Sequence, residues 1–224
     1  MNLRNTFLGL LAVAALALAG PAKADPIIAF GQSSGSNTIT GTASATGTVW
    51  GNDNIAVTIT QIAAGNPTPI SAFLDVHANS ISQATTVGGA IVQHFTGSFS
   101  ICSTAVGCTV NYLSGLFSDA AITANGATAI AVFAPTASFV SDVITTLGLP
   151  RSIAFSFSNV TPPVSLVACA TCNSGGAGQT IASFTASVAG VASASEVPEP
   201  ATLALFGASL LMFGIVRRRR TRAA

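Results

Sequence analysis

The sequence predicts a mainly β protein: an antiparallel β-sandwich or jelly roll with one short helix, flanked by an N-terminal signal helix and a C-terminal transmembrane helix. Three observations favour this fold class. Short runs alternate apolar and polar residues, clusters of Gly, Pro and Asn separate them, and a single stretch has helical spacing. Many short strands joined by such turns are typical of packed antiparallel sheets.

Residues 1–24 form a segment of distinct composition. Arg4 provides a short basic start, an apolar core extends from Phe7 to Ala19, and Ala22 and Ala24 form a small-residue cleavage site. This order of features is typical of a secretory signal peptide. We therefore expect Sec-type export machinery and signal peptidase to act on the chain, and we expect the mature protein to begin at Asp25.

Residues 25–186 are predicted to form one exported β-rich domain. The clearest strand is 90–102, in which Phe95 and Phe99 share one face while His94 lies on the other, as a half-solvated strand requires. A turn is predicted at 50–54. The same alternation predicts the strands 37–49, 55–62, 71–79, 90–102, 115–123, 126–133, 152–160 and 180–188.

One stretch of the domain favours a helix. In 138–147 the apolar side chains fall on one stripe, and a glycine and a proline follow within three residues, as at many helix ends. Farther on, the alanines and serines of 187–196 are predicted to form a linker between the domain and the C-terminal segment.

The domain carries few charges. Its aspartates are opposed by a single basic residue, Arg151, for which a salt bridge or a position at a strand edge is the expected role. A chain without a cationic surface is a poor ligand for nucleic acid phosphates, so we expect no nucleic acid partner. Its Phe, Ile and Val content is too high for a disordered stalk.

The four cysteines form two local pairs, Cys102 with Cys108 and Cys169 with Cys172. In an exported protein an even number of cysteines favours disulfides, and local pairing is favoured because each pair flanks a loop. The spacing of Cys169 and Cys172 also suits a zinc site or a redox pair. Zinc would need two further ligands, and a redox pair should begin a helix, which the surrounding loop residues do not favour.

Three patterns could carry chemistry. Residues 31–35 match the hydrolase pattern G-x-S-x-G, Asp75 and His77 share a predicted face with His94 on another strand, and 52–54 offers oxygens to calcium. In each case the ordinary alternative is favoured: a strand, surface histidines and a turn. We therefore expect no catalytic residue, no metal and no cofactor.

The C-terminal segment 197–224 has three parts in a fixed order. A Val-Pro-Glu-Pro turn comes first, and its prolines force an extended backbone. An apolar run at 201–216 follows, near the lower length limit for a transmembrane helix. A basic tail at 217–222 completes the segment and acts as a stop-transfer signal. Its basic residues are Arg217, Arg218, Arg219, Arg220 and Arg222.

This order of parts resembles the PEP-CTERM sorting signal. The motif residues of that family are matched by Val197, Pro198, Glu199, Pro200 and Ala201. The resemblance implies processing by exosortase, a membrane protease-transferase. It also implies a transient inner-membrane anchor, followed by release to the cell surface or extracellular matrix of a Gram-negative bacterium. The domain itself resembles no family.

The expected function is a structural or adhesive role in an exopolysaccharide or biofilm matrix, without enzymatic activity. Its expected partners, besides the export and sorting enzymes, are exopolysaccharide or further copies of the same chain. Two alternatives remain open at this point. One is a secreted hydrolase acting on matrix polymers, and the other is a periplasmic domain that stays anchored in the inner membrane.

Overall fold

The computed structural model of the protein describes residues 24–33, 37–63, 68–124, 130–145, 147–174 and 176–195. Apart from Ala24, the predicted signal segment lies outside these residues, as do the predicted transmembrane helix, the sorting-motif residues and the basic tail. Within the described ranges the protein is mainly antiparallel β. No helix in these ranges is long and apolar enough to cross a membrane.

Alternating apolar and polar residues form most of the strands. In chain order these are β1 (Ala24–Gln32), β2 (Ile39–Ser44), β3 (Gly47–Ile62), β4 (Ile70–Ser80), β5 (Thr85–Val87), β6 (Ala90–Cys102), β7 (Asn111–Ala124), β8 (Ile130–Ala134), β9 (Thr136–Ala137), β10 (Arg151–Thr161), β11 (Leu166–Cys169), β12 (Gly178–Ile181) and β13 (Phe184–Ser195). A short 3₁₀ turn, Cys172–Ser174, lies between β11 and β12.

Eight of these strands close on themselves. Their order is β6, β4, β3, β1, β13, β10, β8 and β7, and β7 pairs again with β6. We call this closed sheet the barrel. Strand β2 pairs with both β3 and β13, the two strands that also flank β1. The antiparallel β prediction is thus confirmed at the level of class, but the described sheet closes like a barrel where a sandwich or jelly roll was predicted.

The barrel is filled by aromatic side chains. Trp50 is almost fully buried, and its ring lies 5.2 Å from that of Phe157 and 6.0 Å from that of Phe155, centroid to centroid. Phe95 and Phe117 contact it at 6.1 and 6.2 Å. These rings come from four different strands, so a single aromatic cluster joins opposite sides of the barrel.

The turn predicted at 50–54 is wrong, because these residues lie within β3. The pairing of β3 with β4 shifts register between Asn52 and Ile55, which identifies a β-bulge. Gly51 has φ of 150° and Asn54 has φ of 56°, conformations that glycine and asparagine tolerate. The residue types that mark turns also form bulges, and the apolar alternation resumes beyond the bulge with buried Ile55.

The helix predicted at 138–147 is also wrong: its described residues, 138–145 and 147, contain no helix. The backbone of Val140 exchanges two hydrogen bonds of 2.8 Å with Ser114, so this segment runs extended beside β7. The Ser141 hydroxyl accepts the N–H of Ile144 at 3.0 Å, a local bond that competes with helix formation. The apolar stripe instead fills the space beside β7.

The residues predicted as a linker are part of the barrel. Residues 187–195 belong to β13, which pairs with β1 on one side and β10 on the other. Small residues suit this position because Gly190 leaves room for the Phe30 ring, where a Cβ atom would clash. The ends of the domain are therefore adjacent, since Asp25 pairs with Ala194.

A second hairpin, β11 with β12, packs on the barrel through buried polar groups. The Thr180 hydroxyl contacts the Thr48 hydroxyl of β3 at 2.6 Å and accepts the Gln93 amide of β6 at 2.9 Å. The Asn173 amide donates to the Ser80 hydroxyl of β4 at 2.9 Å. Three barrel strands thus hold the hairpin, and buried polar groups of this kind are stable only when paired.

Candidate functional site

An open groove of about 800 Å³ crosses the outer face of β4, β6, β7 and β9. Alternation along each strand places apolar side chains in the barrel and polar ones in this groove. Besides Arg151, the polar side chains that line it are His77, Asn79, Thr96, Ser98, Ser118, Thr136 and Ser138. They are short and mostly uncharged, and they offer both donors and acceptors of hydrogen bonds.

The strand register explains why these side chains form one surface. Asn79 lies opposite Thr96 across β4 and β6, and Ser118 lies opposite Thr136 across β7 and β9. Apolar groups complete the wall, because Leu149 is 75% exposed at the groove. The groove therefore combines hydroxyl and amide groups with exposed hydrocarbon.

Arg151 lines the same groove, at the start of β10. Three of its N–H groups donate to the backbone carbonyls of Gly148, Phe139 and Leu147, at 3.0, 3.1 and 2.6 Å. No carboxylate among the described side chains forms an ion pair with its guanidinium. Converging carbonyls hold the side chain, and the salt bridge expected for Arg151 is not found among the described side chains.

The histidines form two separate pairs on the outer surface. His77 Nε2 lies 2.7 Å from Asp53 Oδ1, and His94 Nδ1 lies 2.6 Å from Asp119 Oδ1. Asp75 shares a face with His77 as predicted, but its carboxylate accepts the backbone N–H of Asn54 at 2.6 Å. Among the described residues, no serine hydroxyl is hydrogen-bonded to either histidine ring.

The other candidate motifs have structural roles in the described residues. Gly31 and Gln32 belong to β1, and the Ser33 hydroxyl contacts that of Thr58 at 3.0 Å; residues 34–36 lie outside the described residues. Within the described ranges, no group of three or more His, Cys, Asp or Glu side chains is arranged to hold a metal ion. The calcium hypothesis for 52–54 gains no ligands, because Asp53 pairs with His77.

Each cysteine pairs with its near neighbour in sequence. The Cys102 and Cys108 sulfurs are 2.01 Å apart, and Cys169 is bonded to Cys172. The first disulfide closes the loop between β6 and β7. The second lies at the end of β11, and its two cysteines are buried. Both are the local pairings favoured by the sequence.

The C-terminal segment gives the clearest comparison with known proteins. A family model described as the PEP-CTERM protein-sorting motif matches residues 196–220. The chain carries this sorting motif. The match includes the Val197–Ala201 motif and Arg217–Arg220, so the resemblance seen in the sequence is confirmed. The motif targets the chain for export and to exosortase, with a C-terminal membrane anchor before sorting to the cell surface.

No family other than this motif is recognised in the chain. No curated protein and no solved structure matches it. The groove and its arginine were not found by sequence reasoning, because their residues come from strands that are distant along the chain. The single available signal was Arg151 itself, as the sole Lys or Arg between residues 24 and 195.

Proposed function

We propose that the exported domain is a non-enzymatic matrix or surface protein with a structural or adhesive role among exopolysaccharides. The observation that carries this proposal is the sorting motif, which directs a domain with a hydroxyl-lined outer groove to the cell surface. Groups that both donate and accept hydrogen bonds match the hydroxyls of sugars, and exposed leucine matches their C–H faces.

The placement of the carboxylates supports binding over hydrolysis. A glycosidase uses two carboxyl groups facing one substrate bond, with one of them free to protonate the leaving oxygen. Here Asp53 and Asp119 pair with histidines, and Asp75 and Asp142 accept backbone N–H groups. Each of these groups therefore already serves a local contact on the barrel surface.

A hydrolase assay tests the enzyme alternative. We expect the protein recovered from producing cells to release no reducing ends from the exopolysaccharide of the same cells. The double substitution Asp75→Ala and His77→Ala should give the same amount of released reducing ends as the unmodified protein. Release by the unmodified protein that this double substitution abolishes would establish the hydrolase in place of the adhesive role.

A sorting experiment tests delivery. Substituting Pro198, Glu199 and Pro200 together by alanine should leave the protein in the membrane fraction and remove it from the matrix fraction, because exosortase no longer recognises its substrate. Immunoblots of both fractions and intact masses provide the measurement. Unmodified protein should begin at Asp25 and lack the basic tail.

A matched proline substitution provides the control for this experiment. Pro163→Ala changes an exposed proline outside the motif and should leave sorting unchanged. If unmodified protein from the matrix or surface retains Arg217–Arg222, the segment is a permanent anchor and the proposed delivery fails.

A further inference from the structure

We propose that the groove binds an acidic glycan, one with carboxylate groups such as a polyuronate, and that Arg151 is the side chain that recognises the carboxylate. This inference rests on the proposed function and names its ligand. The first observation is the charge of Arg151. Between residues 24 and 195 the chain has five aspartates and one Lys or Arg, and that one basic residue lines the groove.

No described side chain supplies a counter-ion to the charge of Arg151. The four aspartates with described side chains are occupied elsewhere by histidines or backbone N–H groups. Guanidinium is always charged in proteins, and its five N–H donors match a carboxylate in a two-point contact. Three donors are used by carbonyls, which fix the side chain, and two remain for a ligand.

The fixed position of Arg151 favours specific recognition of a carboxylate over non-specific electrostatic attraction of anions. Carbonyls at 2.6 to 3.1 Å hold its guanidinium partly buried at the groove. An arginine held in place loses little side-chain entropy when an anion binds, so more of the contact energy becomes affinity. The other basic side chain of the groove, His77, is paired with Asp53 at 2.7 Å.

The rest of the groove suits a sugar chain more than another anion. Its volume of about 800 Å³ falls in the usual range of ligand sites. Asn79, Thr96 and Thr136 supply hydroxyl and amide groups to sugar hydroxyls, while Leu149 offers hydrocarbon to a ring face. Nucleic acid would require many phosphate contacts from basic residues, and the domain has one such residue.

The test measures binding of a defined probe to the protein recovered from producing cells. The probe is an oligogalacturonate of six sugars, compared by isothermal titration with the same oligosaccharide after reduction of its carboxyl groups. We expect binding of the acidic form that weakens with salt, and binding at least about tenfold weaker for the reduced form, as loss of a charged hydrogen bond predicts.

Two matched substitutions locate the site. Ser118→Asp adds a negative charge to an exposed position in the groove and should weaken binding of the oligogalacturonate several-fold. Ser156→Asp makes the same change at an exposed position of β10 that does not line the groove, and it should leave binding unchanged. Arg151→Lys keeps the charge without the planar fork and should give intermediate binding.

Several outcomes would overturn the proposal. These are equal binding of the acidic and reduced oligosaccharides, equal binding of a sulfated oligosaccharide of the same length, equal effects of Ser118→Asp and Ser156→Asp, or no binding at all. Any of them in a protein that still fractionates with the matrix removes the ligand assignment and leaves the proposed function standing. Absence from both the matrix and the cell surface would instead count against the function.

Discussion

Replacing Trp50 by alanine is expected to lower the free energy of unfolding by about 4 kcal/mol, close to the upper end for a single core substitution. Trp50 is 1% exposed, and its ring lies within 6.2 Å of four phenylalanine rings, centroid to centroid. Those rings are carried by β6, β7 and β10, which are held by the closed sheet. Because these strands cannot move together to fill the space left by the indole ring, most of the resulting cavity should persist.

Trp50→Phe provides the control for this experiment. It keeps an aromatic ring in the cluster and removes an indole N–H that has no hydrogen-bond partner among the described residues. We therefore expect its cost to be well below that of alanine. Urea unfolding followed by circular dichroism measures both, since the chain has a single Trp and loses its fluorescence in both variants. Equal losses would contradict the cavity explanation.

The sequence predicts individual strands well where one face is solvated. Strand β6 has the predicted bounds, 90–102, and β4 extends one residue beyond the predicted 71–79 at each end. Alternation carries this information because the barrel interior and the solvent demand opposite residue types. Strand β1 was not predicted, and β13 was predicted only in part, because small residues at 187–195 weaken the apolar contrast.

Closure of the sheet could not be predicted from these patterns. Sandwiches and barrels both bury alternate residues, so the same alternation fits either. The two architectures are distinguished by which strands pair with each other. Here β6 pairs with both β4 and β7, and β13 pairs with both β1 and β10, so the sheet closes. The pairing of Asp25 with Ala194 joins opposite ends of the domain, and a residue pattern does not encode such a distant register.

The sorting motif and the groove also differ in how far the sequence alone predicts them. The sorting motif is contiguous and was recognised from Val197–Ala201, because its chemistry depends on neighbouring residues. The groove is assembled from four strands and the Leu149–Arg151 segment, and its polar residues look like an ordinary solvated face when taken strand by strand. The lack of a carboxylate partner for Arg151 becomes visible only when the positions of all the described aspartates are known.

Replacing Gln93 by methionine is expected to loosen the β11–β12 hairpin by about 2 to 3 kcal/mol, although the two side chains are similar in size. Gln93 is fully buried; its amide donates to the Ser82 carbonyl at 3.0 Å, and its carbonyl accepts the Ile181 N–H at 3.1 Å. Methionine leaves the Ile181 N–H without its partner and removes one hydrogen bond each from the Ser82 carbonyl and the Thr180 hydroxyl, which keep Asn173 and Thr48. The cost arises from buried polar groups that lose hydrogen bonds without gaining water.

We expect the hairpin to loosen before the whole domain unfolds, because its strands pair only with each other in the sheets and Gln93 links β12 to the barrel. Amide hydrogen exchange at Ile181 should therefore accelerate by about 30- to 150-fold, while the amides of β3 and β4 change less. Gln179→Met makes the same change at an exposed position of β12 and should leave the rate unchanged. Equal rates in the two variants would show that Gln93 does not fix the hairpin to the barrel, whereas a selective increase would establish that a side chain from β6 does so.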